Sequence, residues 1–138
     1  MQRNLVKGQA PEFSGHFITG NSVALQDYRG KVLLLHFWAT WCSICNLEQD
    51  SIQSISQDYP LVSIALDSGN AQEIQAYFRK KSLDYPTLAD ENKLISQLYG
   101  VNVVPTSFII DRDGNIAFTE TGFTSEWGLR LRLWYSDL

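Results

Sequence analysis

Cys42 and Cys45, in the stretch Trp41-Cys42-Ser43-Ile44-Cys45, are the only cysteines among 138 residues. Such a pair can be a structural staple, half of a metal site, or a disulfide that opens and closes as chemistry. As a staple it is poor, because a cross-link over so short a loop takes little entropy from the unfolded chain. As a metal site it is incomplete. Structural zinc takes four ligands, there is no second cysteine pair, and of the two histidines His36 lies inside an apolar run. No metal is expected. Exchange of disulfides is the chemistry two neighbouring thiols do without a cofactor, the cysteine pair itself carrying the electrons.

The elements around the pair sharpen this reading. Residues 32–38 are apolar on both faces apart from His36, as expected of a central strand buried on both sides. After the cysteines, Leu47, Ile52 and Ile55 recur at helical spacing. Cys42 therefore falls where a strand ends and a helix begins. The first backbone N–H groups of a helix lack internal partners and carry partial positive charge, which favours a thiolate there. Cys45 lies one turn further in, on the same face and more sheltered. The roles that follow are an exposed attacker, Cys42, and a resolver, Cys45, which attacks the mixed disulfide and releases the partner.

Elsewhere the first ten residues read as a loosely attached arm, and residues 16–25 as a small hairpin around Gly20-Asn21. Residues 61–66 form a second buried strand, and residues 71–82 a helix with Ile74, Tyr77 and Phe78 in a stripe. Residues 89–100 read as one further helix ending on Gly100. Two strands joined at Arg112-Asp113-Gly114 form a hairpin. A last helix carries Trp127, Leu131 and Trp134 along one side. Helices between the first long strands imply parallel pairing, so the expected architecture is one α/β domain over residues 1–138 with a mixed sheet flanked by helices.

Composition sets outer bounds. Hydrophobic residues make up 44% and charged residues 19%, an ordinary globular balance. The net charge of −4 argues against a nucleic-acid binder. No apolar stretch reaches the roughly 18 residues of a membrane span, and the N-terminus lacks the apolar centre of a signal peptide. A monomer is expected.

Residues 37–45, FWATWCSIC, resemble the active-site stretch of the thioredoxin superfamily. Together with GQAPEF near the start, the inserted hairpin and YGVNVVPTSFIIDRDG, they resemble its TlpA-like branch, and the C-terminal TETGFTSEWGLRLRLW resembles the suppressor-of-copper-sensitivity group. The resemblance implies a thioredoxin fold with an N-terminal hairpin extension. It implies a periplasmic, membrane-anchored thiol–disulfide oxidoreductase whose partners are cysteine-containing envelope proteins and a membrane or periplasmic redox protein. It also implies a cis bond between Val104 and Pro105 beside Cys42, where a bound polypeptide would pair as an added strand. His36 stands where many thioredoxins carry a buried acid. It reads either as a proton acceptor for Cys45 or as a neutral core residue. Trp41, Ile44, Val104 and Phe123 read as an apolar rim around Cys42. The competing readings are a thiol peroxidase, which needs an arginine near the reactive cysteine, and a copper- or zinc-binding module.

Overall fold

The computed structural model describes residues 5–138. Five strands form the central sheet in the order β5-β4-β3-β6-β7: β3 (Leu33–Trp38), β4 (Leu61–Leu66), β5 (Thr87–Asp90), β6 (Thr106–Ile110) and β7 (Ile116–Thr121). β3 runs parallel to β4, and β4 to β5, whereas β6 and β7 are antiparallel. The parallel pairs are the ones joined through helices, α1 (Ser43–Ser56) and α2 (Ala71–Lys81), as the geometry of crossovers requires. A separate hairpin, β1 (Ser14–His16) and β2 (Ser22–Ala24), precedes the sheet. In the turn that joins them Phe17 pairs with Leu88, covering the β5 edge. This is the thioredoxin-type α/β architecture with an N-terminal extension.

β3 sits in the middle, so alternation sends its side chains into two interiors. Leu33, Leu35 and Phe37 enter a cluster with Phe13, Val62, Ile64, Tyr99 and Phe108. Val32, Leu34 and Trp38 enter the other, with Cys42, Cys45 and residues of α1, α2 and α4 (Glu126–Ser136).

Three local readings need correcting. The arm is not loose where it is described. Ala10 N–H donates to Gly114 O at 2.9 Å, Ile116 N–H to Gly8 O at 2.8 Å, and Ala10 and Phe13 are buried; its first four residues lie outside the described residues. Residues 89–100 are not one helix. Thr87–Asp90 pair with β4 as an edge strand, and α3 spans only Leu94–Leu98. Buried Asp90 sets this start, its carboxylate accepting from Ile95 N–H, Ser96 N–H and Ser96 Oγ–H at 3.1, 2.9 and 2.7 Å. Leu47 is 71% exposed. The buried stripe of α1 is Cys45, Glu48, Gln49, Ile52 and Ile55. The side of α4 bearing Trp127, Leu131 and Trp134 likewise faces outward, while Leu129 and Leu133 enter the core.

Candidate active site

Cys42 is the N-cap of α1, in extended conformation at φ −97°. Its Sγ accepts the Cys45 N–H at 3.2 Å, so sulfur takes the place that a serine or aspartate oxygen holds at other helix starts. Both cysteines are free thiols here. Cys42, expected to be exposed, is buried like its partner: it retains 8% of its surface and Cys45 1%, because the loop before β6 covers its sulfur from the side opposite α1. Burial pushes the Cys45 thiol well above its ordinary range, with the neighbouring Cys42 adding to the rise.

On the other side of Cys42 lies the loop before β6. The Val104-Pro105 peptide is cis. The Cys42 thiol points at the Val104 carbonyl, 3.7 Å away. Pro105 is buried and Val104 half-buried. The Pro105 carbonyl accepts from Gly122 N–H at 2.8 Å, which ties this loop to the turn after β7. Gly122 takes φ +85° there, a conformation open to glycine at little cost. It is followed by exposed Phe123 and by Thr124. Trp41 and Ile44 are exposed as well, and the Trp41 indole donates to Asp67 O at 2.9 Å, fixing the ring on the β4 side of Cys42. Leu47, one turn beyond Ile44, and Val103 extend the apolar surface.

Behind the cysteines is a buried polar group that the pattern reading missed. Glu48 is 1% exposed on the stripe of α1 that carries Cys45. Its Oε2 accepts the Thr124 N–H at 2.7 Å, while its Oε1 is buried without a hydrogen-bond partner. Burial raises its carboxyl to about 7, with the Thr124 bond opposing the rise. The signal was available. Counting back from Ile52 by helical turns reaches Glu48 and then Cys45, so an acid had to sit on the core face.

His36 lies where alternation places it, buried and facing α1. Its cross-strand neighbour is Ser107, and the two side chains meet, Nδ1 to Oγ, at 2.9 Å. Nε2 stands 3.8 Å from Glu48 Oε1. Burial lowers the imidazole to about 3, so the ring is neutral at physiological pH. His16, by contrast, is exposed on the hairpin.

The comparisons with known proteins agree with this geometry. The sequence profile of the AhpC/TSA family matches residues 6–119. A thioredoxin-like protein of Haemophilus influenzae is 30% identical over 99% of this chain and 83% of its own length. The thiol-disulfide oxidoreductase ResA of Bacillus anthracis is 30% identical over 78% of this chain, which covers 65% of that relative. Among solved structures, a protein of Chlorobium tepidum assigned as thiol:disulfide interchange protein DsbE superposes with a TM-score of 0.85 at 28% identity. That match covers 96% of this chain and 98% of its own. The exposed lipoprotein thioredoxin Etrx1 of Streptococcus pneumoniae reaches 0.79 at 27% identity, covering 91% and 99%. The chain belongs to the AhpC/TSA family, in the TlpA-like branch of the thioredoxin superfamily, and is a thiol–disulfide oxidoreductase.

Proposed function

We propose that this protein exchanges disulfides with cysteine-containing proteins of the bacterial cell envelope, with Cys42 attacking, Cys45 resolving and Glu48 moving the proton. The observation that carries the reading is the placement of Cys42 Sγ between the Cys45 N–H and the Val104 carbonyl, with Cys45 buried behind it. The Cys42 thiolate attacks a partner disulfide. A Cys42–partner disulfide forms, and the partner's other sulfur leaves as a thiolate. Cys45 then gives its proton to the Glu48 carboxylate and attacks Cys42 Sγ. The Cys42–Cys45 disulfide forms and the partner leaves reduced by two electrons; the same steps run backward oxidise a dithiol.

Glu48 suits the proton transfer better than His36, which the sequence left open between proton acceptor and neutral core residue. A carboxyl near 7 takes and returns a proton around neutrality, whereas a ring held near 3 resists one. The half-buried Val104 and the exposed Trp41, Ile44 and Phe123 form the platform on which the partner's chain lies, with Pro105 shaping the backbone beneath. An envelope location, periplasmic with an anchor in the full-length protein, follows the character of relatives such as the pneumococcal lipoprotein thioredoxin. Among the described residues no helix is long and apolar enough to cross a membrane. The test is trapping. A Cys45→Ser variant should accumulate mixed disulfides with envelope proteins through Cys42, and a Cys42→Ser variant none. Equal trapping by both variants would overturn the division of roles.

A further inference from the structure

Glu48 Oε1 is a buried carboxylate oxygen without a hydrogen-bond partner. Leaving such a group unpaired in its charged form is costly, so an ionised Glu48 needs a donor. The groups facing it come from four directions. Thr124 N–H, ahead of α4, already serves Oε2. Cys45, on its own helix, and Tyr85, ahead of β5, both feel its charge, and burial keeps both protonated near neutrality. From β3 comes His36, whose Nε2 stands 3.8 Å from Oε1, beyond a hydrogen bond and within a closure of about 1 Å of one.

The ring's other nitrogen decides what Nε2 can offer. A neutral imidazole carries one N–H. If Ser107 Oγ–H donates to Nδ1, the ring proton sits on Nε2 and points at Glu48. The reverse tautomer would turn a lone pair on a carboxylate, two acceptors face to face. We propose that neutral His36, its tautomer set by Ser107, is a positioning residue that donates from Nε2–H to the Glu48 carboxylate whenever that carboxylate is ionised. This rests on the reading of Glu48 as the proton acceptor for Cys45 and adds what holds that acceptor in its working form. The donor stabilises the charged state, so the carboxylate is available at a lower pH than burial alone would allow.

The experiment is a carboxyl-carbon NMR titration of the reduced full chain, with the Glu48 resonance assigned by its loss in Glu48→Gln. In His36→Leu the Glu48 midpoint should move up by about one pH unit, the size expected for losing one hydrogen bond to a charged group. His36→Gln, which keeps an N–H donor at a similar reach, should restore most of the shift. A His36→Leu midpoint equal to or below the wild-type value overturns the proposal. Because the leucine variant can fail to fold, nitrogen NMR of the wild type supplies a second arm. Above the Glu48 midpoint His36 should carry its proton on Nε2, and a proton on Nδ1 sinks the idea. Failure of the acceptor reading looks different. Glu48→Gln would then release mixed disulfides with an unchanged pH profile, whatever the titration shows.

Discussion

Leu33, Leu35 and Phe37 leave β3 on one side of the sheet, and Leu34, His36 and Trp38 leave it on the other. The first side is filled by hydrocarbon and aromatic rings. Phe37, Tyr99 and Phe108 meet edge-to-face or tilted, with centroids 5.2 to 5.7 Å apart, and Phe13 leans on Tyr99 at 6.2 Å. Its buried hydroxyl, that of Tyr99, donates to Pro11 O. The second side mixes apolar residues with polar ones. One polar line there is complete: Trp38 Nε1–H donates to Ser63 Oγ at 3.0 Å, Ser63 meets Thr87 at 2.6 Å, and Thr87 bonds Tyr85 O at 2.9 Å. Beside it Glu48 has one oxygen bonded and one bare. One strand thus supports an interior optimised for packing and an interior holding a buried, half-satisfied carboxyl beside the cysteines. The bare carboxylate oxygen lies on the face where the cysteines sit, which is where function is expected to override stability.

The largest effect should come from damaging the packing side. Phe108→Ala removes a fully buried ring from the middle of the aromatic group. It should cost about 3–5 kcal/mol of stability, as large-to-small core changes do. Urea melts give that figure. Thiol exchange by the remaining folded protein should keep its wild-type pH dependence, since no group near the cysteines has changed. A shifted profile would mean that the two faces are coupled through β3.

A smaller effect of unusual sign belongs to the other side. The folded Glu48 carboxyl titrates near 7 against an ordinary 4.5. Below 4.5 both states are protonated and nothing is lost. Between 4.5 and 7 the folded chain keeps a proton that the unfolded chain has released, so this group's contribution to stability falls as pH rises. Above 7 the whole cost is present. Glu48→Gln keeps an acceptor for Thr124 N–H and carries no charge. It should be more stable than wild type by about 2–3 kcal/mol at pH 8, with the gain fading by pH 4. Equal gains at both pH values would assign the effect to shape rather than charge. His36 works from the acid side: with its folded value near 3 against 6.5, wild-type stability falls as pH drops through that window.

What was legible in the chain follows the same division. The two-sided run of β3, the strand-to-helix position of Cys42 and the hairpin of β6 and β7 depend on local period and turn chemistry, and they read directly. β5 did not. It has four residues, and its strand character comes from pairing with β4 and from Phe17 crossing to Leu88, contacts far apart in sequence. The start of α3 was hidden for a related reason, because its cap is Asp90, the last residue of that strand, rather than the residue before the helix. Glu48 was passed over because an apolar template was laid on α1. Leu47 filled a slot in that template that the helix turns to solvent.

The misplaced leucine supplies the smallest and most local prediction. On α1, Ile44 and Leu47 stand one turn apart, both exposed, on the outer side of the helix that begins at Cys42. If they receive the partner's chain, replacing Leu47 by serine removes apolar surface that a bound polypeptide covers. Full burial of a leucine side chain is worth roughly 1.5–3 kcal/mol. A residue at the margin of a platform stays partly wet and should contribute about 1 kcal/mol, or close to fivefold in the second-order rate with a protein disulfide. Stability should change by no more than about 0.5 kcal/mol, because the side chain touches solvent rather than the core. A small aromatic disulfide reaches Cys42 without lying across α1, so its rate should fall by less than about twofold. Measuring both rates separates the causes. Equal losses with both substrates would mean that Leu47→Ser disturbs Cys42 itself. No loss with either would place the partner's path on the Val104 and Phe123 side of the cysteine.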